Sequence, residues 1–215
     1  MKRNIAACKE VLQDNVIDLL SPRPSCSLKE LYIIHMIMLN KYAGKGANAT
    51  NSYVHDFFNF HGAGETDAQI NADNCGGQNK NNYVIWYYCW RVLCRLHDSI
   101  LYSFLIAGHT KFSPDWCFGL VKQSFRRRYV SSLFDLMEAV DKSTVSGVNV
   151  AKLCGLHDGT VLVPVYDWAK FLETYFTKIP RISKFHHFRF YKDCPCVVFC
   201  KTLVGSPEIH YSEKP

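Results

Sequence analysis

Between residues 68 and 96 the chain switches its hydrophobic period, and the switch prescribes a layered fold. Ala68, Ile70 and Ala72 alternate with Gln69, Asn71 and Asp73, the two-residue period of a strand with one polar face. Asn74-Cys75-Gly76-Gly77-Gln78-Asn79 follows as a polar, glycine-bearing turn. Tyr83–Leu96 is then apolar nearly all round, through Val84, Ile85, Trp86, Tyr87, Trp90, Val92 and Leu93. A helix of that kind is packed on most of its sides. Ile100–Ala107 reads as a fully buried strand, closed by Gly108-His109-Thr110. Ser113-Pro114-Asp115 opens another helix, with a capping serine, proline in the first turn and an acid at the positive dipole end. Cys117, Leu120, Val121, Ser124 and Phe125 mark its buried face. Upstream, Tyr53, Val54, Phe57 and Phe58 recur at helical spacing over about 48–60, after the Gly44-Lys45-Gly46 turn and before Gly62 and Gly64. Helix, strand, helix, strand, helix requires crossover connections and predicts an α/β sheet with parallel strands.

The flanks are less sharply patterned. Residues 1–27 form a weakly structured segment ending in Ser21-Pro22-Arg23-Pro24-Ser25, residues 28–130 the core, and 131–215 an α+β extension. Leu31–Leu39 is continuously apolar, which suits a strand or a buried helix equally. In the extension, Ser132–Val140 reads as a short helix, Val161–Val165 as a strand, and Asp167 as the cap of a helix carrying Trp168, Phe171, Leu172 and Tyr175. Ser183–Tyr191 and Val197–Leu203 read as a closing pair of strands. Trp86, Trp90, Trp116 and Trp168 all fall on helices and are read as core.

Composition narrows the partners. Of 215 residues, 48% are hydrophobic and 20% charged, so a core can form and disorder is excluded. Lys plus Arg number 25 against 19 Asp plus Glu, and the net charge of +6 permits a polyanionic partner without demanding one. No apolar run reaches the roughly 18 residues that cross a bilayer, so no membrane partner is expected. Lys9, Glu10 and Asp14 interrupt a signal-like start, which points to an intracellular protein. Cys8, Cys26, Cys75, Cys89, Cys94, Cys117 and Cys154 are accordingly read as reduced core thiols.

In open α/β sheets ligands gather at the carboxyl ends of the strands. Asp73 and the His109 loop both lie at such ends, and Asp115 opens the helix after the second strand. Two aspartates on one rim are hard oxygen ligands, suited to Mg²⁺ or Mn²⁺. Lys122 and Arg126 follow Asp115 close to one stripe of its helix, with Arg127 and Arg128 beyond, a track for a phosphate backbone. The plainer account is that they complement the helix dipole. His109 is placed to contact phosphate or to bond its own turn. Asn74, Gln78 and Asn79 offer substrate-positioning groups or ordinary turn chemistry. Cys75 beside Asp73 suggests a nucleophile, but no base is placed near it. Cys194, Cys196 and Cys200 with His186 and His187 lack a standard zinc spacing, and no zinc is expected. Lys184–Lys192 alternates aromatic and basic residues, a stacking surface for single strands or, preferably, a half-buried strand.

Three blocks carry a likeness. Gly44-Lys45-Gly46-Ala47-Asn48, then Ala72-Asp73-Asn74-Cys75-Gly76-Gly77-Gln78-Asn79-Lys80-Asn81, then Ala107-Gly108-His109-Thr110-Lys111-Phe112 with Pro114-Asp115 and Phe118-Gly119, resemble a transposon-associated domain of unknown function widespread in animal genomes. The likeness runs from about Gly44 to about Phe190. That domain looks related to ribonuclease H-like integrases and transposases. The resemblance therefore implies a ribonuclease H-like layered sheet with helices on both faces, and metal-dependent phosphoryl transfer on nucleic acid, DNA in the first instance. It sets Asp73 and Asp115 at the second and third acid positions, and Asp18, in Val16-Ile17-Asp18-Leu19, at the first. The chain before Gly46 is short for three strands, which implies a truncated hairpin and an incomplete site. The alternative is a non-catalytic remnant or domesticated module that binds nucleic acid or protein. An intracellular setting, the nucleus included, goes with either.

Overall fold

The computed structural model describes residues 16–22, 31–39, 46–60, 64–105, 113–156 and 158–212, of which 16–22, 31–39 and 113–115 are described by backbone alone. Its elements are β1 (Val16–Pro22), β2 (Leu31–Leu39), α1 (Ala47–Phe60), β3 (Asp67–Ala72), α2 (Asn82–Leu93), β4 (Ser99–Phe104), α3 (Ser113–Arg126), α4 (Leu133–Asp141), β5 (Asn149–Leu153), α5 (Trp168–Leu172), β6 (His187–Tyr191), β7 (Val197–Lys201) and β8 (Ile209–Ser212). The protein is mixed α/β, and it divides into two compact units. One gathers Gly44–Ala107 and Val165–Pro215, the other Gly108–Pro164 with Ile33–Ala43.

In the first unit the described strands run β3-β4-β6-β7-β8. β3 and β4 are parallel, with Ala68 beside Ile100 and Ala72 beside Phe104, while β6, β7 and β8 join antiparallel. The sheet is thus mixed, because the last three strands are linked by short connections and only β3 to β4 requires a crossover. Ala68, Ile70 and Ala72 are buried, as the alternation predicts, and Ile100, Tyr102, Phe104, Phe188, Phe190, Val198 and Cys200 join them. α2 supplies the crossover and packs against β4 and β6 as well as α1 and α5. That double burial is why its sequence is apolar all round. Tyr88 meets Tyr102 at 4.7 Å on the sheet side, and Trp86 stacks on Phe176 and donates from Nε1 to the Thr177 carbonyl at 2.8 Å.

α2 stops three residues earlier than its pattern suggests. Arg95 takes a left-handed φ of 58°, and the N–H groups of Arg95 and Leu96 return to the Val92 and Arg91 carbonyls. This is a Schellman closure built on a non-glycine residue, so no glycine advertises it. Between α1 and α2 lies a buried polar cluster. Arg91, 4% exposed, donates from Nε to His97 Nδ1 at 3.3 Å and from Nη1 to the Tyr87 hydroxyl at 2.9 Å. His55 Nδ1 lies 3.5 Å from Nη1, and the guanidinium sits 4.4 Å over the Phe58 ring. Burial and the adjacent guanidinium push His97 down to about 4. Tyr87, desolvated, is pushed up to about 12.

α1 is tied to α5 by two small polar side chains. Asn48 donates to Asp167 Oδ1 at 2.9 Å and accepts the Ala169 N–H at 2.8 Å, while Ser52 Oγ accepts the Tyr166 N–H and Trp168 Nε1. Asp167 caps α5 as predicted, accepting the Lys170 N–H.

In the second unit Leu31–Leu39 is a strand, resolving the ambiguity of its apolar run, and pairs in parallel with β5. α3 and α4 build the core beside β5 from Val121, Leu136, Val140 and Leu153, with Phe118, Phe125, Leu133 and Met137 partly buried against it. Ser132 closes a capping box with Asp135 at the start of α4. Donors from Ser131 and Ser132 hold the Asp135 carboxyl at about 2.

Several expectations are corrected. Val161–Val165 is no strand: Val161 makes a single bridge to Gly155, and the N–H groups of Leu162 and Val163 both return to the Cys154 carbonyl. Val163 is buried there while Val161, Leu162 and Val165 are exposed, so β-branched character was present without a face to bury. The parallel partner of β2 is instead Asn149–Leu153, whose short mixed sequence shows no period. β8 also lacked a signal. Ser183 and Lys184 fall in a single 3₁₀ turn rather than in β6. Cys89, Cys117 and Cys154 are buried thiols, but Cys75 and Cys94 are exposed, and Cys8 and Cys26 lie outside the described residues. Trp86 and Trp168 are core and Trp90 is half-buried, whereas Trp116 is 64% exposed. Trp116 lies on the outer stripe of α3, opposite Cys117 and Val121.

Candidate functional site

β3 ends at Ala72, and the loop from Asp73 to Asn81 covers the carboxyl end of the β3–β4 pair. Asp73 is exposed, and its Oδ1 accepts the Cys75 N–H at 3.0 Å and Asn79 Nδ2 at 2.7 Å. The Cys75 carbonyl in turn accepts the N–H groups of Gln78, Asn79 and Lys80. Asn74 donates from Nδ2 to the Leu105 carbonyl, which ties the end of β3 to the residue after β4. Its Oδ1 accepts Lys80 Nζ at 3.0 Å. Lys80 is buried, its ammonium 5.1 Å above the Phe104 ring, and burial lowers its pKa. Tyr102, raised well above the usual phenol range by burial and by Tyr88 and Asp73, donates to the Asn79 carbonyl at 3.3 Å. Gly46, at φ +130°, lies at the start of α1 close to this loop: a Cβ there would stand 3.7 Å from the Gly77 carbonyl oxygen.

The loop is therefore a folded unit in which Asp73, Asn74 and Asn79 meet. Gln78 joins through its backbone, and its half-buried amide makes no hydrogen bond among the described residues. What the loop offers outward is Asp73 Oδ2, which has no protein partner among the described residues. An ionised carboxylate oriented through one oxygen and open at the other is a suitable hard-ion ligand.

The cationic track sits in the other unit. Lys122 and Arg126 lie on α3 and Arg127 directly after it, all exposed. Among the described residues none of the three is in an ion pair, whereas Arg128 and Lys142 share Glu138. A groove of about 430 Å³ opens at this end of the helix, lined by Gln123, Ser124, Arg127, Arg128, Lys142 and Ser143 among others. Asp115 falls in the first turn of α3 and Asp18 on β1, with their side chains outside the described residues, as is the whole of His109.

A model of the family DUF7869, a domain of unknown function, matches residues 33–204. The chain belongs to the DUF7869 family. No curated protein and no solved structure matches it.

Two residues of the DUF7869 domain's loop escaped the sequence reading. Asn81 accepts the Val84 N–H at 3.1 Å and donates to the Gly76 and Gln78 carbonyls, so it caps α2 and pins the turn together. An asparagine directly before an apolar helical run is a legible N-cap signal. Lys80 carries no such signal, since lysine is ordinarily exposed. The remaining candidates divide cleanly. Phe188 and Phe190 are buried, so within Lys184–Lys192 the stretch His187–Tyr191 is a half-buried strand with its phenylalanines in the core. Cys194 is exposed, Cys196 half-buried and Cys200 buried, and among the described residues no three His, Cys, Asp or Glu side chains converge as a metal-binding group. No described helix is long and apolar enough to cross a membrane.

Proposed function

We propose that this DUF7869 domain binds nucleic acid, DNA in the first instance, by contacting phosphates with Lys122, Arg126 and Arg127. One observation carries the reading: these three cations stand exposed on one helix end, without acidic partners among the described residues, beside a polar groove. Exposed cations that merely serve solubility are usually interspersed with acids, as Arg128 and Lys142 are with Glu138. Unpaired ones gain most from replacing phosphate counterions.

The second reading is metal-dependent phosphoryl transfer by a transposase-derived, ribonuclease H-like domain acting in the cell interior, the nucleus included. It is favoured by Asp73, whose carboxylate is fixed at a strand end with one oxygen open. Asp73 would be a ligand for Mg²⁺ or Mn²⁺, the resemblance naming Asp115 and Asp18 as the other acids, and such an ion supplies charge stabilisation to a phosphoryl oxygen. Asn74 is engaged through both of its amide atoms and Asn79 through its Nδ2, which supports a role for both in positioning Asp73 and its loop.

Binding of a labelled DNA to the full chain at several salt concentrations tests the first reading. Charge reversal of Lys122, Arg126 and Arg127 together is expected to weaken it at least tenfold and to flatten its salt dependence. Unchanged affinity would remove these residues from the interface. Nicking of supercoiled DNA with Mg²⁺ or Mn²⁺, abolished in Asp73→Asn, supports the second reading. Nicking that persists in Asp73→Asn dismisses it, and binding without nicking leaves a non-catalytic module.

A further inference from the structure

α3 presents one stripe outward. At 3.6 residues per turn Trp116, Gly119, Gln123, Arg126 and Arg127 fall together, opposite Cys117 and Val121, which are buried. Two members of that stripe are unexpected. Trp116 is 64% exposed, although tryptophan is among the side chains that gain most from burial. Gly119 sits one turn further on, inside the helix, where glycine is the poorest residue apart from proline. Its φ lies outside the left-handed range, and a Cβ built there meets nothing within 4 Å among the described residues. Neither backbone conformation nor packing against the described residues accounts for the missing side chain. Its effect, among the described residues, is to leave no side chain at 119 between the Trp116 indole and the arginines.

An exposed indole, a glycine beside it, an amide at Gln123 and then cations without an ion-pair partner among the described residues make an ordered series. The distance from Trp116 to Arg127 along the axis is about 16 Å at 1.5 Å per residue, which is room for several nucleotides. We infer that this stripe takes single-stranded nucleic acid, with a base stacked on Trp116 over Gly119 and the following phosphates at Arg126, Arg127 and the groove beside Ser124. The inference rests on the proposed nucleic-acid reading and specifies its substrate. A duplex covers its base faces by stacking them on one another, so it gains little from an exposed ring, whereas an unpaired base has a face to offer. Charge complementarity selects the occupant: an apolar partner would leave Arg126 and Arg127 facing it without counter-charge.

The test measures binding of a fluorescent oligothymidylate, an oligouridylate and a DNA duplex of the same length to the full chain. Trp116→Ala is expected to weaken both single strands about tenfold, the order of one lost stacking contact, and to change the duplex less than twofold. Gly119→Leu, which covers the shelf without altering charge, is expected to do the same while leaving the helical circular dichroism intact. Arg126→Ala with Arg127→Ala is expected to weaken all three. A single-strand affinity untouched by Trp116→Ala or Gly119→Leu overturns the inference, as does an equal loss for strand and duplex. In those cases the phosphate reading survives if the arginine variant still weakens binding. Failure of the unaltered chain to bind any of the three overturns both.

Discussion

Lys80 shows how a single residue can make a polar loop structural. Its stem is buried beside Phe104, its ammonium is bonded to Asn74, and Asn74 in turn holds the backbone after β4. Asn81 completes the arrangement by satisfying one orphan N–H of α2 and two carbonyls of the turn. Asn81→Ala is expected to lower stability by about 1–2 kcal/mol, the upper range of an N-cap loss, because turn and helix lose contacts together. Urea denaturation followed by tryptophan fluorescence measures it, and a change within experimental error would show that the cap is not needed. The Asp73 block was legible as a turn with unusual chemistry. Turn chemistry and substrate positioning both stayed open for its asparagines, because an amide's partner depends on what the fold brings within 3 Å.

The elements of the second unit give contrasting forecasts. The capping box on α4 satisfies the Asp135 N–H with Ser132 and the Ser132 N–H with Asp135. Ser132→Ala should cost about 1 kcal/mol, read as a lower urea midpoint at constant slope. Gly119→Ala on α3 should do the reverse. With nothing among the described residues within 4 Å of the added methyl group, it is expected to raise stability by roughly 0.5–1 kcal/mol. A destabilised Gly119→Ala would mean that the glycine is required by packing, which would undercut the stacking shelf. α3 was readable from its start signal and its buried face. Trp116 was misassigned because a tryptophan at helical spacing is usually core, and only the packed helix shows which stripe faces outward.

On the scale of the whole molecule, acid is the sensitive variable. Arg91 Nε donates to His97 Nδ1, so that nitrogen must be unprotonated in the folded chain. His97 titrates at about 4 when folded, with burial first and Arg91 second as causes, and His55 is shifted in the same direction. The unfolded chain, with histidines near 6.5, binds protons that the folded chain refuses between those values. Stability from this source is therefore full above about pH 6.5, falls as the pH drops toward 4, and changes no further below it. The loss from His97 is on the order of 3 kcal/mol. Urea midpoints at pH 7 and pH 4.5 should differ more in the natural chain than in His97→Asn. Equal differences would show that Arg91 tolerates a protonated neighbour.

Local periodicity alone determined the α/β class, the crossover helix between β3 and β4, and the N-cap at Asp167, since each follows from residues within one or two turns of one another. Long-range packing decided the rest. β5 and β8 are strands because a neighbouring strand lends them hydrogen bonds, while Val161–Val165, with better strand residues, has only a single bridge among the described residues. α2 ends at a left-handed arginine because its backbone turns there onto the buried cluster of Arg91 and His97. Burial and pairing are properties of the assembled chain: a short segment carries propensities, and the partner that makes one of them pay arrives only when distant residues close around it.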